Sequence, residues 1–218
     1  MAIRIIHRTF GVVLALLAAG CVSVPTTRFY TLSVLSEPFE NDASRSSLQS
    51  RRPIFIEVMP VKVPERLARP QLVVRAQGSG QETQLLILEQ DRWSSHFNQE
   101  LRDALATGIA NQVGAINEGR GLRVLDRPSY RIAIVLSQFD AIVGDKVQAR
   151  FSWAITRSTD GLNAMCHSTM SEPAGGGIAG VVKGIQRAAS SVAADISKNL
   201  IEMDTGQAPT CAIQNKAN

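Results

Sequence analysis

The sequence predicts an α/β fold, a single-domain sandwich in which a mixed, largely antiparallel sheet is covered by two amphipathic helices. Between Tyr130 and Ile155, apolar and polar residues alternate on both sides of a Gly144-Asp145 turn, which predicts long antiparallel strands with one apolar face. Two segments with apolar residues at helical spacing, 93–113 and 178–200, supply the cover that such a face requires.

The strands are predicted from short apolar runs that are bounded by prolines, glycines or polar residues. In chain order they are 28–34, 54–59, 72–75, 85–88, 122–125, 130–137, 147–156 and 162–170. Gly78-Ser79-Gly80 predicts a hairpin between the third and fourth strands, and Asp160-Gly161 predicts a type I′ turn between the last two. Residues 36–52 are rich in Ser, Asn, Asp and Arg and are predicted to form a surface loop.

Both helices are predicted from the spacing of their apolar residues. The first opens at Asp91-Arg92-Trp93 and ends at Gly114, with a stripe formed by Trp93, Phe97, Leu101, Leu105, Ile109 and Val113. The second has a longer stripe, formed by Ile178, Val181, Val182, Ile185, Ala189, Val192, Ile196 and Leu200. Residues 204–218 are polar and are predicted to form a loose tail, held to the body of the protein only if Cys211 reaches Cys166.

The N-terminal segment has the pattern of a lipoprotein signal peptide. Residues 1–20 combine a basic start with about ten apolar residues, too few for a bilayer-spanning helix, and end in Ala18-Ala19-Gly20 before Cys21. Small residues followed directly by cysteine resemble a bacterial lipobox, although Ala18 stands where Leu is commonest. We therefore expect Cys21 to carry the lipid and residues 21–27 to form a short tether. The alternative is an ordinary secretory signal that leaves Cys21 as a spare thiol.

Charge and cysteine content limit the possible functions. Removal of the signal leaves 21 basic against 19 acidic residues, and no basic block is interleaved with aromatics, so nucleic-acid binding is not predicted. Cys166 and Cys211 remain after lipidation and are predicted to pair in an oxidising compartment, the alternative being two free thiols. The oligomeric state is open, and a homo-oligomer is one alternative.

Motifs of catalysis are missing from the sequence. It has no Gly-x-Ser-x-Gly elbow, no His-Glu-x-x-His and no Walker A loop, and His96 and His167 are its two histidines outside the signal. Residues 175–180 fit Gly-x-Gly-x-x-Gly, but a polar segment with Pro173 precedes them, so we interpret them as a strand-to-helix connection. Neither an enzyme activity nor a cofactor or metal is predicted.

The segment between Pro64 and Pro70 is predicted to be a shaped loop, because both prolines fix φ and remove backbone donors. Arg66 and Arg69 are expected at its surface, with Leu67 as an apolar contact for a partner, which makes these three residues candidates for partner binding. A solvated loop with charged ends is the alternative reading. Simple core packing is the expected role of Trp93, and packing beneath the loop from the start of the first helix is the alternative.

Four motifs make the chain resemble the ABC-type transport auxiliary lipoproteins, the family of paraquat-inducible protein C. They are Phe29-Tyr30-Thr31-Leu32 soon after the lipobox, Ile56-x-Val58-x-Pro60-Val61, Val63-Pro64-x-x-Leu67-x-Arg69-Pro70-Gln71-Leu72-Val73-x-Arg75, and Asp91-Arg92-Trp93. The chain departs from the pattern at Arg66, where the family often has an aromatic residue, and at His96, where a proline is common.

The resemblance implies a lipid-anchored protein on the periplasmic face of the outer membrane. It would dock an MCE-domain protein that works with ABC permease and ATPase subunits in phospholipid transport between the two membranes. Val22, rather than Asp, after Cys21 favours the outer membrane. The family domain is expected at 28–203, and only Cys21 carries over as a defined functional position. An envelope-assembly scaffold and a periplasmic hydrolase with an unrecognised site are the alternatives.

Overall fold

The fold was determined from a computed structural model that describes residues 25–32, 54–78, 80, 83–118, 129–211 and 215–216. The predictions for the signal peptide, Cys21, the 36–52 loop and the 122–125 strand lie outside these residues. The elements are β1 (Arg28–Tyr30), β2 (Phe55–Val58), a 3-10 turn (Glu65–Leu67), β3 (Gln71–Arg75), β4 (Leu85–Trp93), α1 (Phe97–Val113), β5 (Ile116–Asn117), β6 (Ser129–Ala141), β7 (Lys146–Arg157), β8 (Asn163–Pro173), α2 (Gly177–Asp204) and β9 (Asn215–Lys216).

A six-stranded sheet of order β5-β2-β6-β7-β8-β9 forms the body of the protein. Its centre is the predicted antiparallel meander of β6, β7 and β8, and parallel pairing of β2 with β5 and β6 and of β9 with β8 makes the sheet mixed. Alternate residues of the three long strands are buried, and α1 and α2 cover that face. The predicted fold class is confirmed.

A second, three-stranded sheet of order β1-β4-β3 was not predicted from the sequence. The β3–β4 hairpin is antiparallel as predicted, while β1 pairs in parallel with the end of β4. This small sheet lies beside the β6–β7 turn, where Arg75 forms an ion pair with Asp140 and a bridge joins Arg75 to Ile142. The strands are therefore divided between two sheets, and the smaller one includes β1, the first strand of the described residues.

The first helix begins four residues later than predicted. Trp93 is the last residue of β4, its N–H donates to the carbonyl of Pro70 at 2.6 Å, and α1 begins at Phe97. The Trp93 and Phe97 rings stack at a centroid distance of 5.2 Å, so Trp93 extends the apolar stripe of the helix from outside it. Gly114, at φ 66°, ends α1 as predicted.

The glycine-rich segment before α2 is a connection, as interpreted from the sequence. Gly176 and Gly177 have φ of 84° and 73°, which non-glycine residues rarely adopt. A Cβ at Gly180 would lie 1.7 Å from the carbonyl oxygen of Gly175, and one at Gly184 would lie 3.1 Å from Cγ2 of Val147. The small residues thus permit a tight turn and close contact of the helix with the sheet.

The turn between β7 and β8 differs from the predicted type I′ turn. It spans residues 158–161, because the N–H of Arg157 bonds to the carbonyl of Leu162 and that of Gly161 to the carbonyl of Arg157. The side chain of Asp160 accepts hydrogen bonds from Arg157, and this lowers the pKa of Asp160 to about 2. Asp160 therefore binds Arg157 within a four-residue turn, which is longer than the predicted two-residue type I′ turn.

The segment after α2 is fixed to the body of the protein. Cys166 and Cys211 form the predicted disulfide, with an S–S distance of 2.03 Å. The buried Asn199 accepts a hydrogen bond from the indole of Trp153 and donates to the carbonyl of Thr210, whose hydroxyl bonds to Glu202. Closing a loop of this length contributes about 4 kcal/mol in the chain-entropy treatment, so residues 205–211 are not the loose tail that polarity alone predicts.

Candidate functional site

Three of the four motifs that carry the family resemblance contact one another in the structure. In the register of the small sheet, Tyr30 lies opposite Trp93. The backbone N–H groups of Trp93 and Phe97 donate to the carbonyls of Pro70 and Arg69, respectively. The segments 29–32, 63–75 and 91–93 therefore form one structural unit, which we call the motif junction. The fourth motif runs through β2 in the large sheet.

The Pro64–Pro70 loop contains a 3-10 turn that directs its one large apolar side chain inward. The N–H of Leu67 bonds to the carbonyl of Pro64 at 2.8 Å, and Leu67 is 4% exposed. The prediction that Leu67 is a surface contact for a partner is therefore wrong. Leu67 is the large apolar residue of this loop, and its neighbours Glu65, Arg66 and Arg69 are charged. Burial of Leu67 is therefore favourable, whereas burial of the charged residues is not.

The two arginines of the loop have different environments. Arg66 is exposed and makes no ion pair within the part of the chain that the structure describes. Arg69 is half-buried, and its Nε is buried without a hydrogen-bond partner among the described residues. Of the three predicted contact residues, Arg66 is thus the one that is fully presented at the surface.

Beneath the loop is a small apolar cavity. Its walls include Leu67, Trp93, Phe97, Phe139 and Ile185, so Trp93 is part of the core and also lies beneath the loop. The cavity has a volume of about 10 Å³, roughly the space that a single water needs. The side chains that line it serve as the core of the motif junction.

Two buried carboxylates attach the N-terminal strand to the junction. Asp91, 6% exposed, accepts from the hydroxyl of Tyr30 at 2.9 Å and pairs with Arg28 at 2.8 Å. Glu100, 8% exposed, accepts from the N–H of Leu32 and from the hydroxyl of Thr31, both at 3.0 Å. The other oxygen of Glu100 accepts from Ser94 and Ser95 at the end of β4.

Neither carboxylate was predicted from the sequence to be a functional residue. Asp91 was visible as part of the Asp-Arg-Trp motif, but its partners are 61 and 63 residues away in sequence. Glu100 lies one residue from Leu101 in the helical stripe, and the spacing alone does not distinguish it from an exposed polar residue of the helix. The position of Glu100 next to the buried stripe was the one signal in the sequence that its carboxylate is buried. Its contact with the Thr31-Leu32 segment arises only in the folded protein.

The hydrogen bonds to Glu100 make the stability of the junction dependent on pH. Burial raises the pKa of Glu100, but the hydrogen bonds from Ser94, Leu32, Ser95 and Thr31 outweigh it, and the net pKa is lowered. A carboxyl group with a lowered pKa in the folded state stabilises the fold above its unfolded pKa, and this contribution is lost as the pH falls through the folded value.

We expect Glu100→Gln to lower the free energy of unfolding at pH 7 by about 2 kcal/mol, because the amide accepts charge-assisted hydrogen bonds less well. The difference from wild type should shrink as the pH falls below about 4.5, the ordinary pKa of the group. It should be smallest below the lowered folded pKa of Glu100, where the folded wild-type carboxyl is itself protonated. Urea unfolding at pH 7 and pH 3 measures both values. Asp103→Asn, at an exposed carboxylate of the same helix, is the control and should change stability little. A Glu100→Gln deficit of the same size at both pH values would contradict the prediction.

The described residues contain neither a cluster of three or more His, Cys, Asp and Glu side chains able to hold a metal ion, nor a helix long and apolar enough to cross a membrane. His96 is the N-terminal cap residue of α1, and the exposed His167 lies on the outer face of β8. The fold and the junction together define an α/β domain whose distinctive residues attach an N-terminal strand and shape one surface loop.

Residues 30–197 match the family of ABC-type transport auxiliary lipoprotein components, and the chain belongs to this family. No curated protein matches the sequence. A crystal structure of an uncharacterized protein is similar over 81% of this chain and 99% of its own, with 17% identity and a TM-score of 0.61. A protein of family DUF330 from Xanthomonas campestris is similar over 84% of this chain and 96% of its own, with 16% identity and a TM-score of 0.56. At these identities, the two structures support the fold.

Proposed function

We propose that this protein is the outer-membrane-side lipoprotein subunit of an MCE/ABC-type system for phospholipid transport between the two bacterial membranes. Acyl chains on Cys21 hold it to the periplasmic face of the outer membrane. Its work is to dock an MCE-domain assembly, which operates with an ABC permease and ATPase. It acts by binding, and no residue is assigned a catalytic role.

The observation that carries this proposal is the motif junction. Family membership supports an auxiliary role in transport. Three of the motifs that resemble the family join β1, the first strand after the tether, to the Pro64–Pro70 loop. A protein that has to transmit a fixed position from a membrane anchor to a partner needs such a rigid connection. A loop that is already ordered also loses little conformational entropy when a partner binds.

Within the loop, Arg66 is the residue best placed to contact the partner. It is exposed on a backbone fixed by two prolines and by the 3-10 hydrogen bonds. A guanidinium group in this position can bind a carboxylate through two parallel hydrogen bonds. Arg69 contributes mainly through its backbone carbonyl, which receives the N–H of Phe97 and positions the loop over α1.

We expect Arg66→Glu to weaken binding to the MCE-domain protein about tenfold, because charge reversal replaces an attraction with a repulsion. The measurement is co-purification from detergent-solubilised envelopes, with the bound proteins identified and quantified by mass spectrometry. Arg150→Glu is the matched control, since Arg150 is exposed on the face of the large sheet that α1 and α2 do not cover.

Both variants should fold like wild type, because both side chains are at the surface. Equal recovery of the MCE-domain protein with the two variants would place the contact away from Arg66. Absence of any MCE-domain, permease or ATPase protein from the wild-type sample would overturn the proposed function itself.

A further inference from the structure

An exposed aromatic side chain lies in the first strand after the tether. Phe29 is 66% exposed, and it is the one aromatic residue among the exposed large apolar side chains of the described chain. Successive residues of a strand point to opposite faces. Arg28 and Tyr30 both reach Asp91 on one face, so Phe29 projects from the other.

The backbone that carries Phe29 is held on both sides. Arg28 and Tyr30 bind the buried Asp91, and Thr31 and Leu32 bind the buried Glu100. On the N-terminal side, the hydroxyl of Thr27 donates to Gln90 at 3.0 Å. Phe29 is therefore displayed on a fixed strand, and ordering this strand adds no cost when its ring contacts another surface.

The distance from Cys21 limits what that surface can be. Arg28 follows Cys21 by seven residues, and a fully extended chain covers at most about 3.6 Å per residue, or about 25 Å in all. A lipid on Cys21 would keep Phe29 within roughly this distance of the bilayer. By contrast, the β7–β8 turn lies at the end of β7 that is away from the small sheet and β1. β7 is a 12-residue strand with a length of about 36 Å.

We propose that the face of β1 that carries Phe29 lies against the lipid bilayer, with the Phe29 ring among the headgroups. This inference rests on the proposed lipid anchor at Cys21. Aromatic side chains are favoured at the membrane–water interface. Because the acyl chains already hold the domain at the membrane, the ring contact is intramolecular, and a weak interaction is enough to orient the domain.

The charges beside Phe29 indicate that the contact does not depend on anionic lipid. In the strand register, Phe29 lies opposite Arg92, whose guanidinium is paired with Glu89 at 3.2 Å, and Arg28 is paired with Asp91. These arginines are compensated within the protein, so the ring and not a basic patch provides the attraction. A vesicle of zwitterionic lipid should serve as well as one that contains phosphatidylglycerol.

The test uses the full lipidated protein, purified from membranes and reconstituted into phosphatidylethanolamine vesicles with and without phosphatidylglycerol. Phe29→Trp introduces a fluorescent reporter, and a lipid with a spin label near its headgroup quenches tryptophans that lie close to it. Trp93 and Trp153 are each 3% exposed and give a common background. Leu162→Trp is the matched control, because Leu162 is 40% exposed directly after the β7–β8 turn.

We expect the spin-labelled lipid to quench the added fluorescence of Phe29→Trp at least about twofold more than that of Leu162→Trp, in both vesicle compositions. Equal quenching at the two positions would overturn the inference. So would loss of MCE co-purification by Phe29→Ser together with an unquenched Phe29→Trp, since Phe29 would then contact a protein. Flotation of wild type with the vesicles separates the two proposals: flotation without quenching at Phe29 defeats this inference alone, whereas failure to float defeats the anchor as well.

Discussion

Replacing Leu67 with aspartate is expected to lower the free energy of unfolding by at least about 3 kcal/mol, since truncating a buried leucine alone costs about 2–5 kcal/mol. Leu67 is 4% exposed and lies with Trp93 and Phe97 in the wall of the junction cavity. A carboxylate at this position adds a desolvation cost. The loop can limit the loss by turning the new carboxylate out to solvent, but it then gives up its contacts with the junction.

The measurement is urea unfolding of wild type and variant, comparing midpoints and slopes. Ala68→Asp is the matched control, because it introduces the same charge one residue later at an exposed position. A surface substitution of this kind should change stability by no more than about 0.5 kcal/mol. If Leu67→Asp and Ala68→Asp have the same stability, Leu67 does not contribute to the core.

The position of Leu67 illustrates how far the sequence could predict this region. The two prolines indicated a shaped loop, and the loop is shaped. Its direction, however, depends on hydrogen bonds to Trp93 and Phe97, which are more than 20 residues away in sequence. Local composition suggests a charged surface segment, whereas the packing of the loop against Trp93 and Phe97 buries Leu67.

The large sheet was predictable because its signal is periodic and local. Alternation over β6 and β7 identifies both the strands and their buried face, and turn residues fix their order. In the small sheet, the β3–β4 hairpin gave a local signal, but the pairing of β1 with β4 gave none. β1 is three residues long, and its pairing with β4 spans 63 residues of sequence, so its register is set by the side chains that Asp91 binds.

The start of α1 was misplaced for a related reason. Trp93 continues the four-residue spacing of the helix, and the spacing alone cannot distinguish a residue in the helix from one that stacks on it from a neighbouring strand. Asp91 and Glu100 also escaped prediction as a pair, since their shared role is to bind the segment from Arg28 to Leu32. Contacts between distant segments thus define the motif junction.

Replacing Cys21 with alanine is expected to abolish lipidation. In the proposed anchor, the thiol of Cys21 is the group that receives diacylglycerol, and acylation of the new N-terminus follows cleavage. Cys21→Ala should therefore remain an unprocessed precursor that incorporates no labelled palmitate. Two membrane signals suffice for stable anchoring, and three acyl chains exceed that requirement. The variant should therefore lose the acyl anchor completely.

Two further variants separate lipidation from other effects of a lost cysteine. Cys211→Ala removes a different thiol and the disulfide to Cys166, yet it should incorporate palmitate as wild type does. Val22→Asp should also be labelled but should fractionate with the inner membrane, because the proposed outer-membrane location rests on Val22, rather than Asp, following Cys21. Labelling of Cys21→Ala at the wild-type level would remove Cys21 as the attachment site. It would also remove the argument that a short tether holds Phe29 near the bilayer, because the length of that tether is measured from a lipid on Cys21.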